Sequence, residues 1–194
     1  MADGIGIVLL LRLKYRQKIE RITGSDLFNA CLEIADRKSL RIALVGSSAE
    51  TLFLLSEEIR IKWPSVILLT LSPEYEFEKS PELNNRIVND VKSFSPHILL
   101  VALGCPRQEK WIFSHKDYIG AKINIGVGAV FDFYSGTKKR APLFLQSIGM
   151  EWFWRLLREP VRLGKRYLVK DLPFFIITLF RIMFKLESKR AEQI

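Results

Sequence analysis

The sequence predicts an α/β fold: a mostly parallel sheet with flanking helices, plus a basic helical appendage at the C-terminal end. Three observations predict it. Four short runs, residues 40–45, 66–71, 98–103 and 123–127, are almost continuously apolar and rich in leucine or β-branched residues. Strands covered on both faces have that texture. Helical periodicities separate the runs, and such alternation is how right-handed crossovers build a parallel sheet. Beyond residue 138 the chain becomes basic and aromatic. The expected architecture is therefore Rossmann-like, with a core over residues 1–149 and the appendage over 150–194.

The connecting helices follow in order. Residues 25–38 place Leu27, Ala30, Cys31, Ile34 and Ala35 at helical spacing, and residues 49–63 do the same with Leu52, Leu55, Ile59 and Trp63. Residues 81–94 open with Pro81, suited to a first helical turn, and carry Leu83, Ile87, Val91 and Phe94. A further helix is expected to start at Pro106, directly after the third strand. No internal repeat or low-complexity segment interrupts this order.

Composition narrows the class. The chain has 194 residues, 48% hydrophobic and 26% charged, which suits one globular domain with a sizeable core. Two cysteines, Cys31 and Cys105, make no disulfide framework, so a reducing compartment is expected. Residues 1–14 contain an apolar stretch, but no basic segment precedes it and no small-residue cleavage site follows, so a signal peptide is not expected. The net charge is +9, and it is unevenly placed. Residues 138–194 hold 13 Lys and Arg against 5 Asp and Glu, while the remainder is nearly neutral. A neutral body with a basic tail implies a polyanionic partner: a membrane surface, a diphosphate or a nucleic acid.

In sheets of this type ligands sit beyond the carboxyl ends of the strands. Three segments end there: "VGSSAE" (45–50), "LGCPRQE" (103–109) and "GVGAVFD" (126–132). In the first, Gly46 permits a close turn, and Ser47 and Ser48 lead into a helix start that suits either an anion or a plain N-cap. In the second, Gly104 precedes a run of hydrogen-bonding side chains that includes Gln108. In the third, Gly126 and Gly128 leave room for a ligand, with Asp132 as an acceptor. This is not a full G-x-G-x-x-G, and no acidic residue stands at the usual distance beyond the first loop, so dinucleotide binding is not indicated.

The tail reads differently. In residues 150–171, Arg155, Arg158, Arg162 and Lys165 or Arg166 recur at three- and four-residue spacing, with Pro160 restarting the helix. Residues 172–180 are uncharged, but nine residues fall far short of the ~20 needed to span a bilayer. With Arg181, Lys185, Lys189 and Arg190 beyond, the segment reads as a helix lying on a membrane surface. Packing inside a homo-oligomer is the alternative.

Several chemistries lack their residues. There is no Cys/His ligand cluster, no H-E-x-x-H, no P-loop, no G-x-S-x-G and no Asp-x-Asp pair, so neither a metal site nor a cofactor is expected. His97 and His115 read as structural, and Cys105 has no base placed beside it.

"ADGIGIV" (2–8), "RITGSDLF" (21–28), "GCPRQEKW" (104–111), "GVGAVFDFYSGTKKRAP" (126–142) and "EWFWRLLREPVRLGKRYL" (151–168) occur in the order and spacing of a known family. In these motifs, over residues 2 to about 175, the chain resembles the WecG/TagA/CpsF glycosyltransferases, glycosyltransferase family 26. The resemblance implies a metal-independent, inverting transfer of an N-acetylmannosamine-type sugar or another hexose from a UDP donor. The implied acceptor is a sugar on undecaprenyl diphosphate, at the cytoplasmic face of a bacterial membrane, in surface polysaccharide or teichoic acid synthesis.

It also implies roles. Asp3 matches the general base for the acceptor hydroxyl. Arg21 matches a residue near the donor sugar and diphosphate, Gln108 one that orients the donor, and Asp132 one that contacts the nucleoside. Arg155 and Arg162, with Arg158 between them, match arginines that close over the diphosphate, and Lys165 stands near where a further arginine is expected. Family members carry more chain before "ADG", so the core reads as N-terminally incomplete. Two other readings are a non-catalytic membrane-associated α/β protein and, less well supported, a nucleic-acid-binding protein. The last lacks a recognisable module, and no nucleic-acid partner is expected.

Overall fold

The structure is a computed structural model that describes residues 4–158, 160–167, 169 and 172–191, with the side chains of residues 143, 155, 162, 166, 183 and 185–191 outside that description. The chain forms two compact units, one of residues 24–139 and one that joins residues 1–23 to residues 140–194. The composition shift places a boundary at 149/150, whereas packing places boundaries at 23/24 and 139/140.

The continuous unit is the expected α/β sheet. Its strands are β1 (Arg41–Gly46), β2 (Ile67–Leu71), β3 (Ile98–Ala102) and β4 (Ile123–Gly126), all parallel in the order β2-β1-β3-β4. The helices between them are α2 (Gly24–Lys38), α3 (Ala49–Lys62), α4 (Pro81–Phe94), α5 (Arg107–Ile119) and α6 (Val130–Tyr134). The two central strands are apolar apart from Arg41 at the start of β1 because both faces are covered. Ile42, Leu44, Ile98 and Leu100 point into a core shared with α2, α3 and α6. The alternate residues Ala43, Val45, Leu99 and Val101 point to the opposite face, under α4 and α5. Each fully buried Leu, Ile or Phe contributes about 1.5–3 kcal/mol.

Helix faces mostly follow the periodicity. Leu52, Leu55 and Ile59 of α3 are buried, and Leu83, Ile87, Val91 and Phe94 of α4 pack on the sheet. In α2 the buried face is Phe28, Cys31, Leu32 and Ala35, while Ile34 is exposed. The face is turned because Phe28 packs against Tyr134 and Phe131, with ring centroids 4.7 and 5.9 Å away. Pro106 is the residue before α5 rather than its first, and its peptide bond to Cys105 is cis.

His115 is structural. Trp111 Nε1 donates to Asn84 Oδ1 at 2.8 Å, which fixes the amide so that Asn84 Nδ2 faces His115 Nε2 at 3.0 Å. Nε2 therefore accepts, and Nδ1 carries the proton that reaches the Trp111 carbonyl at 2.8 Å. His97 accepts from the Arg41 backbone N–H through Nδ1, at 3.1 Å. Cys31 is buried, and burial pushes its thiol up from the ordinary range.

The second unit is helical: α1 (Ile5–Tyr15), α7 (Leu143–Ser147), α8 (Glu151–Arg158), α9 (Pro160–Arg166) and α10 (Leu172–Ala191). Val8, Leu10, Ala141 and Leu163 are buried here. Helices α1 and α10 meet at Gly6, where an added Cβ would lie 3.3 Å from the Phe175 ring. Helix α9 begins at Pro160, the residue expected to start it. Phe174, Ile177, Phe180 and Phe184 of α10 are exposed. Among the described residues no helix is long and apolar enough to cross a membrane.

Candidate functional site

The sheet order makes a switch point. From β1 the chain crosses one way to β2, and the later strands lie on the other side, so the loops after β1 and β3 diverge. Ligands of open parallel sheets bind at such a point. At the end of β1, Gly46 has φ +106°, and a Cβ there would lie 2.7 Å from the Ala102 carbonyl oxygen. Glycine is required because two strand ends approach backbone to backbone. Ser47 follows with φ +67°, a strained setting for a residue with a side chain. Its hydroxyl donates to Asp132 Oδ1 at 2.9 Å, and its carbonyl accepts from Ser72 Oγ at 2.8 Å, which holds it there. Ser48 is the N-cap of α3, its hydroxyl accepting from the Thr51 N–H at 3.2 Å.

Asp132 ties two loops together. Besides Ser47, its carboxylate meets Lys138 Nζ at 2.8 Å, and its backbone carbonyl accepts from the Lys138 N–H at 2.9 Å. Thr137 closes the same loop onto the Asp132 carbonyl at 3.2 Å.

Gln108 behaves unlike its neighbours in α5. It is 4% exposed. Its Oε1 accepts from the Gly128 N–H at 3.0 Å, and its Nε2 donates to Glu109 Oε1 at 2.8 Å. A Cβ on Gly126 would lie 2.6 Å from that Nε2. The expectation that Gly126 leaves room for a ligand is therefore corrected: the room is taken by Gln108. Gly104 (φ +80°) and Gly128 (φ +61°) differ, because a Cβ on either would meet nothing within 4 Å. These two glycines leave the backbone open at the crest.

Arg107 is spent on structure. It forms a forked pair with Glu78, Nε to Oε1 at 2.5 Å and Nη2 to Oε2 at 2.8 Å, and lies over the Tyr75 ring. The guanidinium holds the Glu78 carboxyl below the usual carboxylate range and is itself pushed up by that hydrogen bond. Cys105 is exposed in the adjoining turn, and no described side chain hydrogen-bonds its sulfur.

The helical unit has its own polar cluster. Arg21 donates to the Gln146 carbonyl at 2.9 Å and to Glu151 Oε2, and Arg140 Nε donates to Glu151 Oε1 at 3.0 Å. One turn along α8, the Nε1 of Trp154 is buried without a partner among the described residues. Arg158 lies over the Trp154 ring, 5.0 Å from its centroid.

The model of the Glycosyl transferase WecG/TagA/CpsF family matches residues 1–189. The chain belongs to this family. A Bacillus subtilis (strain 168) relative is 31% identical over 181 residues, 93% of this chain and 68% of the relative. Staphylococcus aureus relatives, from strains MW2 and NCTC 8325, are 26% identical over 190 residues, 98% of this chain and 72% of theirs. All three are named as N-acetylglucosaminyldiphosphoundecaprenol N-acetyl-beta-D-mannosaminyltransferase. Their names are those of glycosyltransferases.

Within the WecG/TagA/CpsF member described here, the sheet crest brings Gly46, Ser47, Gly104, Gln108 and Asp132 to the ends of neighbouring strands. Arg21 and Arg158 lie in the helical unit. Asp3 and the side chains of Arg155 and Arg162 lie outside the described residues. Sequence reasoning overlooked Lys138, Arg140 and Glu151. The "TKKRAP" run was visible as a basic turn, but nothing in it shows which cation meets which carboxylate. Among the described residues no group of three or more His, Cys, Asp or Glu is placed to hold a metal ion.

Proposed function

We propose that this chain is an inverting glycosyltransferase that moves an N-acetylmannosamine-type sugar, or another hexose, from UDP to a sugar carried on undecaprenyl diphosphate. The observation that carries the reading is the open crest. Gly104 and Gly128 expose backbone beside the switch point, flanked by Ser47 and Asp132, where a nucleotide sugar can be gripped. Family membership and the relatives' names support the reaction class.

In this mechanism the acceptor hydroxyl attacks the anomeric carbon while the bond to the UDP oxygen breaks. The electron pair leaves on the β-phosphate, and the hydroxyl proton passes to the Asp3 carboxylate. Base assistance of this kind is worth roughly 10²–10⁴-fold. No metal is required in this scheme. Arg21, Arg155, Arg158 and Arg162 neutralise the departing diphosphate through charge-assisted hydrogen bonds. Gln108 acts by holding the 126–128 loop, and Asp132 by tying Ser47 to the nucleoside side. The exposed aromatic and aliphatic side chains of α10 and the basic residues around them adsorb to the anionic cytoplasmic leaflet, where the acceptor resides. Co-sedimentation with phosphatidylglycerol vesicles tests that adsorption: a chain lacking residues 172–194 that pellets as well as the intact one refutes it.

The reaction is tested by assaying Asp3→Asn against an undecaprenyl-diphosphate-linked acceptor, beside the wild-type chain and the Bacillus subtilis relative. Transfer is expected to vanish while UDP-sugar binding stays within a few-fold, because the carboxylate acts on the acceptor. Undiminished turnover in Asp3→Asn removes it from the mechanism.

A further inference from the structure

Arg140 stands just before α7, and its charge is only partly answered. Glu151 is shared: Oε1 accepts from Arg140 Nε at 3.0 Å, and Oε2 pairs with Arg21 Nη2. One carboxylate thus faces two guanidiniums, each bound to a different oxygen. Its side chains are far from fully exposed, at 18% for Arg21 and Glu151 and 29% for Arg140. Arg21 is held further by the Gln146 carbonyl at 2.9 Å. Arg140 is engaged through Nε alone, so the N–H groups on its two terminal nitrogens carry no hydrogen bond among the described residues. An arginine pinned at Nε and unsatisfied at its tip presents two parallel donors, the arrangement that fits a phosphate oxygen pair.

We propose that Arg140 is a diphosphate-binding residue and that Glu151, anchored from its other side by Arg21, is the positioning residue that holds it. The inference rests on the glycosyltransferase reading above, because a diphosphate is the anion that reaction handles. Both the nucleotide donor and the lipid-linked acceptor carry one. The preorganised guanidinium enters the complex without first losing its side-chain freedom, which is where a pinned arginine gains over a solvated one.

Isothermal titration of the full chain with inorganic pyrophosphate, UDP and farnesyl diphosphate tests the assignment. Arg140→Gln is expected to weaken pyrophosphate roughly ten-fold or more, since a hydrogen bond to a charged group is lost. Loss in the UDP arm assigns Arg140 to the donor, and loss in the farnesyl diphosphate arm assigns it to the acceptor. Glu151→Gln provides the readout that separates positioning from bulk charge. It makes the cluster more positive, so charge alone predicts tighter binding, whereas positioning predicts binding weakened several-fold. Should Arg140→Gln fail to fold, Arg140→Lys retains the pairing with Glu151, and it is expected to lose several-fold because a point charge cannot serve both partners. Unchanged affinity in a folded Arg140 variant, with wild type binding, overturns the inference and leaves the reaction standing. Tighter binding by Glu151→Gln overturns the positioning role. A wild-type chain that binds none of the three anions overturns the inference together with the reading beneath it.

Discussion

Replacing Gly126 with alanine tests how the crest is built. The new Cβ would lie 2.6 Å from Gln108 Nε2 and 2.9 Å from both Cδ and Cγ, so the whole outer half of the glutamine must move. Gln108 is 4% exposed and has no open side to move into without leaving its partners. Displacement breaks the 3.0 Å bond to the part-buried Gly128 N–H, at about 1 kcal/mol. Overpacking adds about 1–3 kcal/mol, and alanine in a strand returns about 0.5–1 kcal/mol relative to glycine. The net cost is roughly 1–3 kcal/mol, a midpoint drop of roughly 2–12 °C for a chain of this size. The assay is a double-mutant cycle by thermal and urea denaturation. Gln108→Ala removes the three atoms nearest that Cβ, so Gly126→Ala in that background should cost nothing or stabilise slightly. The coupling between the two positions should therefore be at least the single-substitution cost, roughly 1–3 kcal/mol. Equal costs of Gly126→Ala in both backgrounds would refute the packing argument.

Two further perturbations probe the same body. Gly46→Ala should cost roughly 3 kcal/mol or more, because its Cβ meets the Ala102 carbonyl at 2.7 Å and φ is +106°. Gly104→Ala, at φ +80° with nothing within 4 Å, should cost only about 1–2 kcal/mol. Comparable melting temperatures for the two would contradict the close strand approach at Gly46. The Glu78–Arg107 pair should contribute to acid stability with a defined sign. Glu78 titrates below its ordinary value of 4.5 in the folded chain, so the unfolded chain takes up its proton first as pH falls. The advantage over Glu78→Gln should be full above 4.5 and shrink as pH drops from there through the depressed folded value. Urea midpoints of both proteins from pH 7 to about 3 measure it, and a gap constant across that range speaks against the pair.

The sheet was legible because its central strands are apolar at nearly every position, a pattern that needs cover on both sides and leaves few architectures. The face of α2 was not, because alternative stripes through Leu27, Cys31 and Ile34 or through Phe28, Leu32 and Ala35 have equal periodicity. The aromatic contact of Phe28 with Tyr134 decided between them. At the crest the glycines and Asp132 stood out by residue type, but their individual tasks depend on contacts distant in sequence. Gln108 occupying the space at Gly126 spans 18 positions, counted from the sequence. Arg21 and Glu151 are separated by 130 positions, and no local spacing rule reaches that far. The appendage was visible as composition, yet its packing unit begins at Arg140, which bonds Glu151, and takes in residues 1–23 as well.

The helical unit is assembled from both ends of the chain, and that sets an order of events during synthesis. Residues 24–139 are a continuous stretch and can close their sheet as soon as β4 leaves the ribosome. Helix α1 emerges before any of this, but the Phe175 ring that packs on Gly6 is made 169 residues later, by the sequence count. At roughly 5–20 residues per second the wait is on the order of 10–30 s. Throughout it α1, apolar from Ile7 to Leu11 and basic in its last turn, has its α10 partner still unmade. Holdase chaperones act on such exposure, so the yield of folded protein from this chain should depend on them more than that of the sheet unit alone.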